Sequence, residues 1–288
     1  MAPMAASTTL VSGDVVSVAC SAPSRKRASI SSAARWMTFS RFGFVAACCR
    51  RGLPGEGFGF FGIRANSMLG GMPLKLLLLD IDGTLVNNTN QHIAAWAEAF
   101  ASLGLQVDDE TLRRNIGKGG DLFVRAVAGD TWDREHGDQA RDLHGQAYKR
   151  RLPEVRPVPG VTEFLDGIRR LDIRPVLASS SNPDEVEANL RVIGERPEHF
   201  LVIDKDDIEI SKPAPDVFGA ALKRSGVMPA DAAAVGDTQW DAEAAKKVGL
   251  ELLAVLTGAG TREELLDGGA TRVFPDLLSL LAFVRERR

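Results

Sequence analysis

Two carboxylates stand two positions apart in Asp80-Ile81-Asp82-Gly83-Thr84, directly after the apolar run Leu74-Lys75-Leu76-Leu77-Leu78-Leu79. An aspartate is ionised at neutral pH, so Asp80 can act as a nucleophile without a base, and a second carboxyl beside it, Asp82, is of a type that can give and take a proton. Attack on a phosphate dianion is repulsive unless a cation lies between, which calls for a hard divalent ion on oxygen ligands. Gly83 lets the backbone turn sharply and leave both acids in one crevice. Taken alone, the pair is equally well explained as a strand-end turn whose Asp side chains accept backbone hydrogen bonds.

Three further segments carry complementary groups: Val176-Leu-Ala-Ser179-Ser180-Ser181, Ser211-Lys212-Pro213, and Gly236-Asp237-Thr-Gln-Trp240-Asp241. The Ser179 hydroxyl and the Ser180 N–H offer donors to a phosphate oxygen. Lys212, restricted by Pro213, offers a fixed cation for charge that develops in transfer. Asp237 and Asp241 add carboxylates, although Asp241 also suits the start of a helix.

The elements that position these groups alternate. Short apolar strands are predicted at 74–79, 174–179, 200–203, 232–235 and 252–256, with helical periods at 161–170, 184–193, 215–225 and 241–248. This is the pattern of an α/β protein with a doubly wound parallel-sheet, Rossmann-like core, whose ligands sit at the carboxyl ends of the strands. About ninety residues separate the first two strands, and 90–103, 109–116, 121–128 and 133–152 read as helices. They predict an inserted α-helical cap over the site, giving a core of 73–86 and 159–288 and a cap of 87–158.

Residues 1–72 are of another character. They hold eight Lys or Arg against Asp14 and Glu56, leaving 27 basic and 36 acidic residues downstream, a net of −9 in a chain of 288 residues and net −3. All three cysteines lie there too, so the body has no thiolate for zinc or for nucleophilic attack. This Ser- and Arg-rich leader shows no hydrophobic period and is expected to be disordered. It reads either as a transit peptide to a chloroplast or mitochondrion or as an upstream extension of the reading frame, which would leave a cytoplasmic protein. The acidic body argues against nucleic acid as a partner, and no apolar run is long enough to span a membrane.

The four motifs together resemble the haloacid dehalogenase superfamily of phosphohydrolases, whose first motif is Asp-x-Asp-Gly-Thr, over residues 74 to about 284. The resemblance implies a Mg²⁺-dependent phosphatase acting through an aspartyl-phosphate on Asp80. Mg²⁺ would be held by the Asp80 carboxylate, the Asp82 backbone carbonyl and Asp237, with Asp241 assisting. Asp82 argues against the dehalogenase and phosphonatase branches, which lack that aspartate. The cap position resembles the phosphoglycolate phosphatase and β-phosphoglucomutase branch. His92, twelve residues after Asp80, falls where the mutases carry a cap histidine, but Asn115-Ile-Gly117-Lys118-Gly119-Gly120 lacks the arginine that holds a second phosphate there. Lys118, Lys149 and Trp240 are the other cap or entrance residues expected to meet substrate, each also explicable as ordinary surface or packing. The expected partner is a small phosphorylated metabolite, and the expected state a monomer or homodimer. A sugar-phosphate mutase is the alternative. A phospho-accepting domain like the response-regulator receivers is the alternative of another class, but has no use for Asp82 or a long cap.

Overall fold

A computed structural model describes residues 74–287 in full. Of residues 1–73 it describes only the backbones of four short strands, β1 (Ser7–Leu10), β2 (Val16–Ala19), β3 (Met37–Ser40) and β4 (Gly43–Val45), paired antiparallel in that order. The rest of the expected leader lies outside the described residues. Residues 1–69 and 70–288 form separate units, and the second is described below.

Six parallel strands form its sheet, in the order β12-β11-β10-β5-β8-β9. They are β5 (Leu76–Leu79), β8 (Arg174–Ala178), β9 (Leu201–Ile203), β10 (Ala232–Gly236), β11 (Glu251–Val255) and β12 (Arg272–Phe274). β5 is fully buried, with side chains alternating between the two faces. Leu77 and Leu79 pack with α5 (Val161–Arg170) and α10 (Leu277–Glu286), through Phe164, Ile168, Leu277 and Leu281. Leu76 and Leu78 pack with α7 (Asp216–Ser225) and α8 (Gln239–Lys247), through Val217, Phe218, Ala242 and Ala245. Burying a leucine side chain contributes roughly 1.5–3 kcal/mol, so the four leucines hold the strand that ends at Asp80. α6 (Pro183–Val192) follows β8, opening on Pro183 at its first position.

Between β5 and β8 the chain forms α1 (Thr89–Ser102), α2 (Asp109–Asn115), α3 (Gly120–Ala128) and α4 (Asp130–Arg151). Trp96, Phe100, Leu112, Phe123 and Val124 give this insertion its own apolar core, which Ala259 of the sheet domain also enters. A ribbon of β6 (Val86–Asn87) and β7 (Arg156–Pro157) marks where the chain leaves and returns. The doubly wound parallel sheet predicted from alternation is present, with strand ends shifted by one or two residues. The sequence reading places nothing after residue 256, whereas the structure adds α9 (Arg262–Gly268), β12 and α10. β12 has three residues, too few to show a period. Among the described residues no helix is long and apolar enough to cross a membrane.

Candidate active site

β5 and β10 are neighbours in register, so their carboxyl ends deliver Asp80 and Asp237 side by side. Gly83 turns the chain back at φ +77°, and a Cβ there would overlap the Asp237 carboxylate. Asp237 accepts from Thr84 Oγ1 at 3.1 Å and from the Ala259 N–H at 2.8 Å, and Thr84 Oγ1 also lies 3.0 Å from Asp80 Oδ2. Asp241 divides its two oxygens. Oδ2 closes a capping box at the start of α8, accepting from Thr238 N at 3.1 Å and Thr238 Oγ1 at 2.6 Å. Oδ1 lies 2.9 Å from Lys212 Nζ, a charge contact without hydrogen-bond alignment, and has no hydrogen-bond partner.

Lys212 is buried and donates to Asp80 Oδ1 at 2.5 Å and to the Ala178 carbonyl at 2.9 Å. Burial alone would lower its pKa, but Asp241 and Asp80 outweigh that and raise it, so it stays an ammonium. Burial pushes Asp80 up to about 7, with Asp241 and Asp82 adding and Lys212 opposing. Burial, then Asp80 and Asp241, raises Asp237 well above the usual carboxylate range. Oxygens of Asp80, Asp237 and Asp241 lie within 4.8 Å of one another. Three carboxyl groups against one ammonium are two acids in excess, and with burial this crowding draws Asp80 and Asp237 toward their protonated forms. That excess, the all-oxygen donor set and the orphaned Asp241 Oδ1 fit a hard divalent cation.

Asp82 is held in a separate ring of donors. Oδ1 accepts from Asn88 Nδ2 at 2.6 Å and Asn189 Nδ2 at 2.7 Å, Oδ2 accepts from Ser181 Oγ at 2.7 Å, and His92 Nε2 lies 3.4 Å from Oδ1. Burial would raise Asp82, but these donors and the His92 charge bring it down to about 2. His92 is correspondingly raised against its own burial, so the proton of the pair sits on the imidazole. Its other nitrogen, Nδ1, is 3.1 Å from His144 Nε2, and burial followed by the His92 charge keeps His144 neutral. Tyr148 stacks on His92 with centroids 4.0 Å apart and donates to Asn189 Oδ1 at 2.6 Å.

These groups face one cavity of 690 Å³ between the sheet domain and the helical insertion. Of the residues singled out in the sequence, Asp80, Asp82, Ser180, Lys212, His92 and Lys118 line it, with Asp237 and Asp241 buried beside its floor. Ser179 is turned away, its Oγ accepting from the Ser181 N–H at 3.0 Å, and Ser181 takes a place on the wall. Lys149 does not line the cavity. Tyr148 faces inward on α4, and the next residue, a helical step of about 100° round, is exposed. Trp240 is displaced too: it borders a small separate crevice with Arg113 and Glu264, and Lys118 Nζ sits 4.0 Å from its ring centre. The sequence reading missed Asn88, Ser181, Asn189, His144 and Tyr148. Asn88, at the N-cap of α1, and His92 are four apart, as are His144 and Tyr148 on α4, which is a signal only once the two helices are known to meet.

Among known proteins, the model of the haloacid dehalogenase-like hydrolases matches residues 74–249. Validoxylamine A 7'-phosphate phosphatase of Streptomyces hygroscopicus subsp. limoneus is 26% identical over 187 residues, which is 64% of this chain and 86% of that protein. Phosphoglycolate phosphatase of Nitrosospira multiformis is 27% identical over 223 residues, 75% of this chain and 97% of that protein. The crystal structure of a hydrolase from Pseudomonas syringae has a TM-score of 0.71 at 29% identity, covering 74% of this chain and 98% of that one.

Proposed function

The chain belongs to the haloacid dehalogenase-like hydrolases and is a phosphoric monoester hydrolase; we propose that it cleaves a small organic phosphate in two steps through a phosphoryl group carried on Asp80. The observation that supports this best is the cavity floor, where Lys212 lies between Asp80 and Asp241 with Asp237 adjoining. Asp80, Asp237 and Asp241, with the Asp82 carbonyl, would hold Mg²⁺. Bound there, it would neutralise the carboxylates and draw the phosphate dianion to the nucleophile.

A carboxylate oxygen of Asp80 forms a bond to phosphorus as the bond to the ester oxygen breaks. Lys212 stabilises the charge gathering on the phosphoryl oxygens, and Ser180, whose Oγ accepts from the Lys212 N–H at 3.4 Å, lines the same cavity. The proton that the departing oxygen needs starts on His92 Nε2, passes along the 3.4 Å contact to Asp82 and goes from Asp82 to that oxygen. In the second step water loses a proton to Asp82 and attacks phosphorus, the bond to Asp80 breaks, and inorganic phosphate leaves.

Phosphate release from a panel of phosphomonoesters, with Mg²⁺ and with EDTA, tests the reading, together with mass analysis of the Asp80 peptide after acid quench. A phosphorylated Asp80 and loss of turnover in EDTA are expected. An Asp80→Asn variant keeping more than about a tenth of the activity would refute the nucleophile. The His92–Asp82 contact favours a second reading, a sugar-phosphate mutase. That reading requires β-glucose 1-phosphate, given a bisphosphate primer, to yield its isomer rather than free phosphate.

A further inference from the structure

Beyond the floor, the cavity wall is what a leaving alcohol would touch, and most of its cations are already matched. Arg141 is held by Asp133 at 2.8 Å and Asp138 at 2.9 Å and donates to the Gly120 carbonyl at 3.2 Å. Arg125 faces Asp130 at 3.1 Å, and Lys205 faces Asp121 at 3.1 Å. Lys118 is the exception, donating to Asn115 Oδ1 at 2.7 Å.

Two wall carboxylates, Glu185 and Asp142, have no cation within ion-pair distance among the described residues. Glu185 lies in the first turn of α6, where an acid is ordinary and can take the Asn182 N–H. Its side chain, however, reaches across to the insertion: a Cβ on Gly145 of α4 would lie 3.9 Å from Glu185 Oε1. Burial raises its pKa, against the opposing charge of His92, which is itself paired with Asp82. Trp96 and His144, stacked with centroids 4.0 Å apart, add an uncharged aromatic stretch to the wall beside the His92–Asp82 pair.

We propose that this cavity selects phosphate monoesters whose alcohol carries no second anionic group, neutral polyols or amino alcohols, and that Glu185, with Asp142 at the rim, repels a carboxylate or a second phosphate. This rests on the phosphatase reading of the floor. Two like charges about 6 Å apart at an effective dielectric constant of about 20 repel by an amount worth on the order of a hundredfold, which solvent at the opening reduces to about tenfold.

Two matched pairs differ only in a CH₂OH replaced by a carboxylate: 2-hydroxyethyl phosphate against 2-phosphoglycolate, and glycerol 3-phosphate against 3-phosphoglycerate. For each, kcat/KM is measured with the full chain and Mg²⁺; inhibition of 4-nitrophenyl phosphate hydrolysis serves where turnover is too slow. The neutral member should be favoured by about tenfold or more. Glu185→Gln should shrink that ratio at least about threefold and Glu185→Asp should keep it, a change in ratio that a merely structural role would not give. A ratio at or below one, or one unmoved by Glu185→Gln, overturns the proposal while leaving the phosphatase reading intact. So does a preference for the acids that Lys118→Ala abolishes, which would assign the second anion to Lys118. Failure to hydrolyse 4-nitrophenyl phosphate or any of the four esters would bring down the phosphatase reading and this proposal with it.

Discussion

Lys212→Met keeps the aliphatic stem and removes the one ammonium among three buried carboxylates. Removing one partner of a buried ion pair costs about 3–5 kcal/mol. Here the ammonium also leaves the Ala178 carbonyl without its donor, which adds about 1 kcal/mol. Metal-free Lys212→Met should therefore be less stable than the parent by about 4–6 kcal/mol. A divalent cation answers the same excess of negative charge, so the variant should gain more from it than the parent does. Saturation at a hundred times the dissociation constant is worth about 2.7 kcal/mol, and the tighter binding expected of the variant enlarges that. Urea unfolding of both proteins in EDTA and in Mg²⁺ gives the four free energies. Equal stabilities in EDTA, or an identical Mg²⁺ increment in both, would refute the idea that ammonium and metal balance the same three charges.

Asp82→Asn should cut kcat/KM by about 10²- to 10⁴-fold on alkyl phosphates and far less on 4-nitrophenyl phosphate, whose leaving group needs no proton; equal losses on both would make Asp82 merely structural. Gly119→Ala places a Cβ onto the buried Ser211 side chain beside Lys212, and should cost about 1–3 kcal/mol of unfolding free energy; Ser211→Gly in the same protein should restore most of it, and failure to do so would place the strain elsewhere. Arg113 holds Glu264 down at about 2, by hydrogen bonding foremost. A depressed carboxylate stabilises fully above its unfolded pKa of about 4.5 and ceases to as pH falls through 2. Between those limits the parent should lose about 1–2 kcal/mol more than Glu264→Gln, after allowance for partial exposure; superposable acid limbs would contradict it.

The cavity floor is legible in the sequence because its residues sit next to or soon after short apolar runs that read as strands of one sheet, and parallel strands bring their carboxyl ends together. Asp80 and Asp237 are close for that reason, though 157 positions apart. The ring around Asp82 is not legible. Asn88 stands at the N-cap of α1, Asn189 on α6 and Tyr148 on α4, and an asparagine at or in a helix reads as a capping or solvated group until the packing of α1, α4 and α6 is known. Lys149 and Trp240 mislead for a simpler reason: each neighbours an inward-facing residue, and one helical step turns a side chain aside. Asp241 caps its helix through one oxygen, one of the two roles expected of it, while its other oxygen faces the Lys212 ammonium.

The pairing of β5 has a consequence for biosynthesis. Opposite Leu76 stand Arg174 in β8 and Ala232 in β10, 98 and 156 residues further along. At about 5–20 residues per second, a ribosome needs roughly 8–30 s after making Asp80 before both flanking strands exist. Until then Leu76 to Leu79, four consecutive leucines, are an exposed apolar strand with two open edges. A nascent or truncated chain lacking β10 therefore carries Asp80 and Asp82 without the cavity they line and with strand edges prone to aggregate, the condition a chaperone relieves.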